Sequence, residues 1–501
     1  MKENFFIFAS RKKRKPREMN IKAISTNIGK ALMINALFMF ISLLISILNG
    51  FDSAFTPLLI SFLVTTLTGM FPFIFVKDKP STSLHSGFLT IALSWLLSFI
   101  FGMLPYVLWG GEFTLMNAWF ESVSGYTTTG STILNDIEAL PKSLLFWRSS
   151  THFIGGLGVV VFLLMILPDR SPFKLKLTHL ELSSLSKEGY KYQSGKTSRV
   201  MLSVYLGLTA AETLCLWAAG MSLFDAVNHA FSTVATGGFS TKNTSIMYFD
   251  SPVIDIIITV FMALSAMHFG VIFACFAKRS LKPLNHSVTK YYFGVIAVAC
   301  VMTAFCLKLQ GGYSSWGRSF LDSAFQTVSY ITTTGFGQAD NSGWPLLANT
   351  ILIVLAIHCG CSGSTTGGIK ADRMYISLKA IWGDFQKRLH PSSLFRTRVG
   401  GRVLVEDTVN SVFLYSVLYI FVLFLSFVAV LICGLDIADA FSGTIASLGN
   451  VGPGIGQLGT MGNYSEIPAI AKFIFTIDMF FGRVEIFPIL IVFSMIGNRQ
   501  K

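Results

Sequence analysis

Ser124-Gly125-Tyr126-Thr127-Thr128-Thr129-Gly130 is the stretch on which the reading of this chain turns. Three similar stretches follow it: STVATGGF at 232–239, SYITTTGF at 329–336 and, more faintly, SLGNVGPG at 447–454. With the register fixed on Gly130, Gly238, Gly335 and Gly452, the positions thirteen residues earlier hold Asn117, Asp225, Asp322 and Asp439. Seven earlier stand Val123, Phe231, Val328 and Ile445, and six earlier Ser124, Ser232, Ser329 and Ala446. No window needs a gap. Four matches in one register indicate an internal repeat rather than four unrelated turns.

Each window has a physical reading. Asp or Asn before an apolar run is a favoured helix N-cap, so Asn117, Asp225, Asp322 and Asp439 are expected to cap four short helices. About ten residues of helix are too few to cross a bilayer, which suits a re-entrant segment buried among other helices. The chain then passes into Thr-Thr-Thr-Gly or a variant, where glycine tolerates backbone angles closed to other residues. Successive carbonyl oxygens could there face a central axis, with the negative ends of the short helices aimed at it, an arrangement that favours a cation.

Composition sets the surroundings. Of 501 residues, 52% are hydrophobic and 13% charged, against about 25% charged in a soluble chain. Ten largely apolar segments, 31–49, 54–76, 85–109, 144–168, 200–220, 252–277, 290–307, 344–358, 410–433 and 467–495, mostly approach or exceed the ~20 residues needed to cross ~30 Å of hydrocarbon. Two segments separate successive glycines, so the expected fold is an all-α polytopic membrane protein. It has four span–pore-loop–span repeats in a pseudo-fourfold arrangement, plus an N-terminal pair of transmembrane helices. The expected boundaries are 1–30 for a basic tail, 31–80 for the pair, and 81–178, 195–282, 287–400 and 405–501 for the repeats.

The net charge of +13 is concentrated in places. RKKRKPR at 11–17 reads as a flank drawn to anionic lipid rather than a nucleic-acid site, given ten spans behind it. With that tail inside, basic residues such as Arg170, Lys278, Arg388 and Arg398 fall in inner loops, while Asp52, Glu112, Asp136 and Asp340 fall outside. A multi-pass chain in the cytoplasmic membrane with both termini cytoplasmic is therefore expected. The first apolar segment is too long for a signal peptide and lacks a cleavage site. Seven cysteines, nearly all in apolar segments, suggest reduced packing residues rather than disulfides. His358-Cys359-Gly360-Cys361 has no second pair to complete a metal shell. GSTTGGIK at 363–370 and GIGQLG at 454–459 resemble nucleotide loops, but the first has Ile369 in the lysine position and neither belongs to a βαβ unit.

The chain resembles the Trk/Ktr/HKT superfamily of potassium transporters, closest to the TrkH-type membrane subunit. The likeness is carried by the four glycine windows, THFIGGLGVV at 151–160, GCSGSTTGGIK at 360–370 and FGRVE at 481–485. It covers nearly the whole chain and implies potassium uptake without catalysis, with potassium as substrate and no cofactor in this chain. The implied filter is Thr128, Thr129 and Gly130; Thr236, Gly237 and Gly238; Thr333, Thr334 and Gly335; and Asn450, Val451 and Gly452. Potassium is expected at Thr129, Gly130, Gly237, Gly238, Thr334, Gly335, Val451 and Gly452. The windows differ where Ala235-Thr236-Gly237 and Asn450-Val451 replace threonines. The resemblance further implies a homodimer and a cytosolic nucleotide-binding regulatory subunit (TrkA-like), for which the basic loop 380–402 is a candidate docking surface.

The same likeness implies a gate below the filter, formed by Gly360, Gly363, Ser364, Thr365, Thr366, Gly367 and Gly368 with Arg483. Independently, the Gly/Ser/Thr run cannot continue a helix, and such backbone is tolerated at membrane depth only against protein or a wet cavity. A charge at position 483 must face the interior or a partner; its other reading is an ion pair with Asp478 or Glu485. Glu121 and His229, inside the short helices, read as packing or outward-bonding residues. The rival functions are a secondary transporter of another cation or solute, sodium- or proton-coupled, and an intramembrane enzyme. The first expects inverted repeats, the second paired carboxylates or histidines at lipid depth.

Overall fold

The computed structural model describes residues 21–76, 84–166, 194–391, 396–486 and 488–490. The basic run at 11–17, most of the inner loop 169–199 and the C-terminal Asn-Arg-Gln-Lys lie outside them. The first pair of helices, α1 (Ile21–Leu48) and α2 (Phe55–Phe75), pack on each other. α1 starts ten residues before the expected apolar segment, because Ile21–Lys30 continue the helix as polar turns. α3 (Leu84–Gly102) and α4 (Leu104–Trp109) are one apolar run interrupted at Met103, where Pro105 removes a donor and crowds the preceding turn.

Four short helices fall where the repeat places them: α5 (Leu115–Tyr126), α8 (Leu223–Ala235), α12 (Trp316–Ile331) and α16 (Ile437–Gly449). Around them stand α6 (Lys142–Ile166), α7 (Ser194–Ala218), α11 (Ser287–Leu309), α15 (Glu406–Ile432) and α17 (Ala469–Val484). Two expected spans are broken. Residues 252–277 form α9 (Pro252–Ser265) and α10 (Phe269–Lys278), bent by 101°. Residues 346–389 form α13 (Leu346–His358) and α14 (Ala371–Leu389), joined by the glycine-rich run. Among the described residues, six helices are long and apolar enough to cross a bilayer, or seven with the bent pair.

The distribution of polarity is inverted relative to a soluble protein. Glu121, Ser124, Thr129, Thr333 and Thr334 are fully buried, whereas Leu67 is 71% exposed and Phe75 67%. An apolar exterior of that extent calls for lipid around it. The β structure of the described residues is one two-stranded hairpin, Arg398–Val399 (β1) with Arg402–Val403 (β2). Gly400 and Gly401 close it, both at positive φ, as a two-residue hairpin turn requires.

Candidate functional site

All four short helices end in the same way. The amide two residues before each glycine (Thr128, Thr236, Thr333, Asn450) bonds back to the carbonyl of Gly125, Thr233, Tyr330 or Ser447. The amide one residue before each glycine bonds to the carbonyl of Ser124, Ser232, Ser329 or Ala446, at 2.8–3.0 Å. This pair of bonds is a Schellman ending, which needs a left-handed residue at the turn. Thr128, Thr236, Thr333 and Asn450 occupy it, with φ of 52°, 57°, 56° and 55°. A β-branched residue there is an outlier. Three of the four loops hold one.

The glycines then close a ring. Gly130, Gly238, Gly335 and Gly452 have φ of 83°, 84°, 74° and 96°. A Cβ on Gly130 would strike the carbonyl oxygen of Gly237, and one on Gly238 that of Thr334. Likewise Gly335 abuts the Val451 carbonyl, and Gly452 that of Thr129. Each loop touches the next, and the fourth returns to the first. All four glycines line one cavity of about 70 Å³, on whose wall stand Arg148 and Lys242.

The ring is braced from behind. Ser124, Ser232 and Ser329 donate to the carbonyls of Ser131, Phe239 and Phe336 at 2.6–2.8 Å. Ala446 stands in the matching place of the fourth loop and has no hydroxyl to give. There the Gly452 carbonyl instead accepts from Ser131 Oγ at 3.1 Å and Tyr464 Oη at 3.0 Å. A carbonyl oxygen has two lone pairs, so the Gly452 carbonyl accepts two hydrogen bonds at the position where the sequence places a cation ligand. The side chains one residue before the glycines alternate as well: Thr129 and Thr334 carry hydroxyls, bonded at 2.8 Å to Thr127 and Thr332, while Gly237 and Val451 do not.

Asn117, Asp225, Asp322 and Asp439 are not the caps. Thr114 caps α5 and Ser222 caps α8, while Ser315 and Asp436 hold the N-cap positions of α12 and α16. The expected cap residues sit inside their helices, because a Thr or Ser lies three residues upstream of the first two. At two of the four positions the offset has another role. Asp225 accepts from Thr241 at 2.6 Å and Asp322 from Gln338 at 3.1 Å, and each partner lies three residues past its glycine. These carboxylates tether the start of the helix to the chain leaving the loop. In the first repeat Glu121 takes that task, accepting from Thr132 at 3.0 Å, and Asn117 instead accepts from Lys472 at 2.8 Å.

The glycine-rich run is packed against the underside of the ring. Thr365 donates to the Val234 carbonyl at 3.1 Å, and the Gly367 amide reaches Thr333 Oγ1 at 3.4 Å. A Cβ on Gly367 would lie 2.5 Å from Asn450 Oδ1. Gly360, Gly363 and Gly368 serve the path of the run: Gly363 and Gly368 have positive φ, and a Cβ on Gly360 would press on Ala266. Ser364 bonds within the run to Cys361 and Thr366. The break between α9 and α10 makes room for this run, since Phe269 donates to Gly363 and Cys361 to Ala266. Nothing in the sequence around His268 announced that second break.

Arg483 completes the contact. Its guanidinium donates to the carbonyl of Thr365 and, at 3.0 Å, to that of Gly155. Among the described residues Arg483 makes no ion pair with Asp478 or Glu485, which have other partners. Asp478 accepts from Ser426 at 2.6 Å, and Glu485 is held by Arg373 at 2.8 Å and Lys370 at 3.7 Å. Arg148, which the sequence reading passed over, is 1% exposed and pairs with Glu121. A charge in the apolar run 144–168 was the available signal. His229 packs as expected, bonding Asp225 and Ser240.

The chain is similar to known proteins along most of its length. A family model described as "TrkH: Cation transport protein" matches residues 58–500. The Trk system potassium uptake protein TrkH of Escherichia coli (strain K12) is 35% identical over 383 residues, 76% of this chain and 79% of that one. TrkG of the same organism is 34% identical over 385 residues, covering 76% and 78%. The crystal structure of the potassium transporter TrkH from Vibrio parahaemolyticus superposes with a TM-score of 0.85 at 30% identity, over 95% of this chain and 98% of that one. An extended sequence match and a shared fold agree, and the chain belongs to the TrkH family of cation transport proteins.

Proposed function

We propose that this protein carries potassium into the cell through a central path whose filter is the ring of four glycine loops. The observation that carries the reading is the closed circuit of contacts from Gly130 through Gly238 and Gly335 to Gly452 and back. Rings of backbone carbonyls replace the hydration shell of potassium in selective filters. The ligands are the carbonyls of Thr129, Gly130, Gly237, Gly238, Thr334, Gly335, Val451 and Gly452, the last also accepting from Ser131 and Tyr464. Ten spans, both termini cytoplasmic, set four span–loop–span repeats around this axis in the cytoplasmic membrane. The names of the relatives, which are potassium uptake proteins, agree with this cation.

The run from Gly360 to Gly368 forms the gate. It lies under the loops, and Arg483 ties it to α6 through Gly155. The chain works as a homodimer with a cytosolic nucleotide-binding partner docked on the basic segment 380–402, where the expected loop is the end of α14 and the β1–β2 hairpin. The test is rubidium uptake and potassium-limited growth in cells stripped of their own potassium uptake, with the regulatory partner supplied. Saturable rubidium uptake and rescued growth are expected. A correctly inserted chain that gives neither would sink the reading.

A further inference from the structure

Among the four left-handed turn residues, three are threonines and one is Asn450. Threonine fills this turn in the other three loops, so asparagine is not obligatory there, and its side chain makes contacts that the threonines do not. Asn450 Nδ2 donates to Thr129 Oγ1 at 3.1 Å and to the Met479 carbonyl at 2.8 Å. The carbonyl acceptor fixes which amide atom is nitrogen. Its Oδ1 is buried and has no hydrogen-bond partner among the described residues. A Cβ on Gly367 of the glycine-rich run, or on Gly482 of α17, would come 2.5 Å from that oxygen. One side chain thus touches the first glycine loop, the last helix and the run beneath the ring.

The placement along α17 gives this meaning. Met479 lies four residues before Arg483, one helical turn away on the same face. Any shift of α17 that draws Arg483 off Thr365 also moves the Met479 carbonyl to which Asn450 is bonded. Asn450 in turn holds the hydroxyl of Thr129, whose own carbonyl abuts Gly452. We propose that Asn450 is the positioning residue through which α17 and Arg483 set the geometry of the first glycine loop, so that ion selectivity follows the state of the gate. This rests on the filter and gate reading above and adds a physical link between the two.

Contact along a path is not coupling until a cycle measures it. Rubidium and sodium uptake are to be measured for the full chain, for Asn450→Gly, for Arg483→Ala and for the double variant. Glycine keeps the left-handed backbone and removes only the bridge. Loss of both hydrogen bonds is expected to lower the rubidium-to-sodium ratio roughly five- to tenfold. Arg483→Ala is expected to raise flux and also lower the ratio. The double variant keeps the raised flux but shows the ratio of Asn450→Gly alone, not the product of both losses. An unchanged ratio in Asn450→Gly, or losses that multiply, overturns the proposal.

If the glycine variant does not reach the membrane, Asn450→Thr decides by the same criteria. Threonine holds this left-handed turn in the other three loops, is uncharged and lacks the amide that donates to Met479. Absent rubidium uptake by the unmodified chain would instead strike the proposed function, so the two failures are separable.

Discussion

Arg148 and Glu121 meet at 2.7 Å behind the first glycine loop, with side chains 1% and 0% exposed. The carboxylate also accepts from the Ile133 amide at 3.1 Å, and the guanidinium lies 4.1 Å over the Phe239 ring. The pair therefore clamps the chain leaving the first loop to the chain leaving the second. Removing one partner of a buried pair strands a charge, at a cost of about 3–5 kcal/mol. Arg148→Met and Glu121→Gln should each lower the melting temperature of the detergent-purified protein sharply. The double variant should recover part of the loss, and equal melting of all four proteins would show that the pair is not structural.

The ring leaves no room for side chains at its glycines. Gly238→Ala would drive a methyl group into the Thr334 carbonyl and force a left-handed alanine. Rubidium uptake should fall to background while the protein still inserts, as followed by surface labelling. Gly207→Ala, in α7 with open space around it, is the matched control. It should leave uptake unchanged and stabilise the helix by up to about 1 kcal/mol.

Arg483 holds the glycine-rich run through carbonyls rather than through a carboxylate. Arg483→Ala should release the run and raise basal rubidium efflux from preloaded vesicles. Efflux at or below that of the unmodified protein would remove Arg483 from the gate.

Threonine in a left-handed turn is strained by about 1–2 kcal/mol. Thr236 holds its hydroxyl on its own neighbour, Ala235, so little else depends on it. Thr236→Asn should raise the unfolding midpoint, because asparagine visits that region readily, as Asn450 does in the fourth loop. A lower midpoint would mean that the threonine methyl packs against something worth more than the strain.

The glycine windows were legible because their spacing is set by a short helix and one turn, both local. The offset of thirteen residues was legible too, but its meaning was not. A carboxylate near a helix start reads as a cap, and only the folded chain brings Thr241 to Asp225 and Gln338 to Asp322. The Gly400-Gly401 hairpin could have been read from its glycines and was not. The bend at His268 could not have been, since it exists to admit residues from another repeat, nearly a hundred positions away.

The sequence by itself determined the apolar segments, the four loops in one register and the glycines between them, because each depends on neighbours along the chain. It also marked the glycine-rich interruption and a basic residue in the last apolar run. Tertiary structure alone decided the order in which the loops touch, the bonds of Ser131 and Tyr464 to the Gly452 carbonyl, and the partners of Arg483. Except for the Tyr464 bond, those contacts join segments far apart in the chain. No periodicity or spacing can express which carbonyl an arginine will find once the helices have packed.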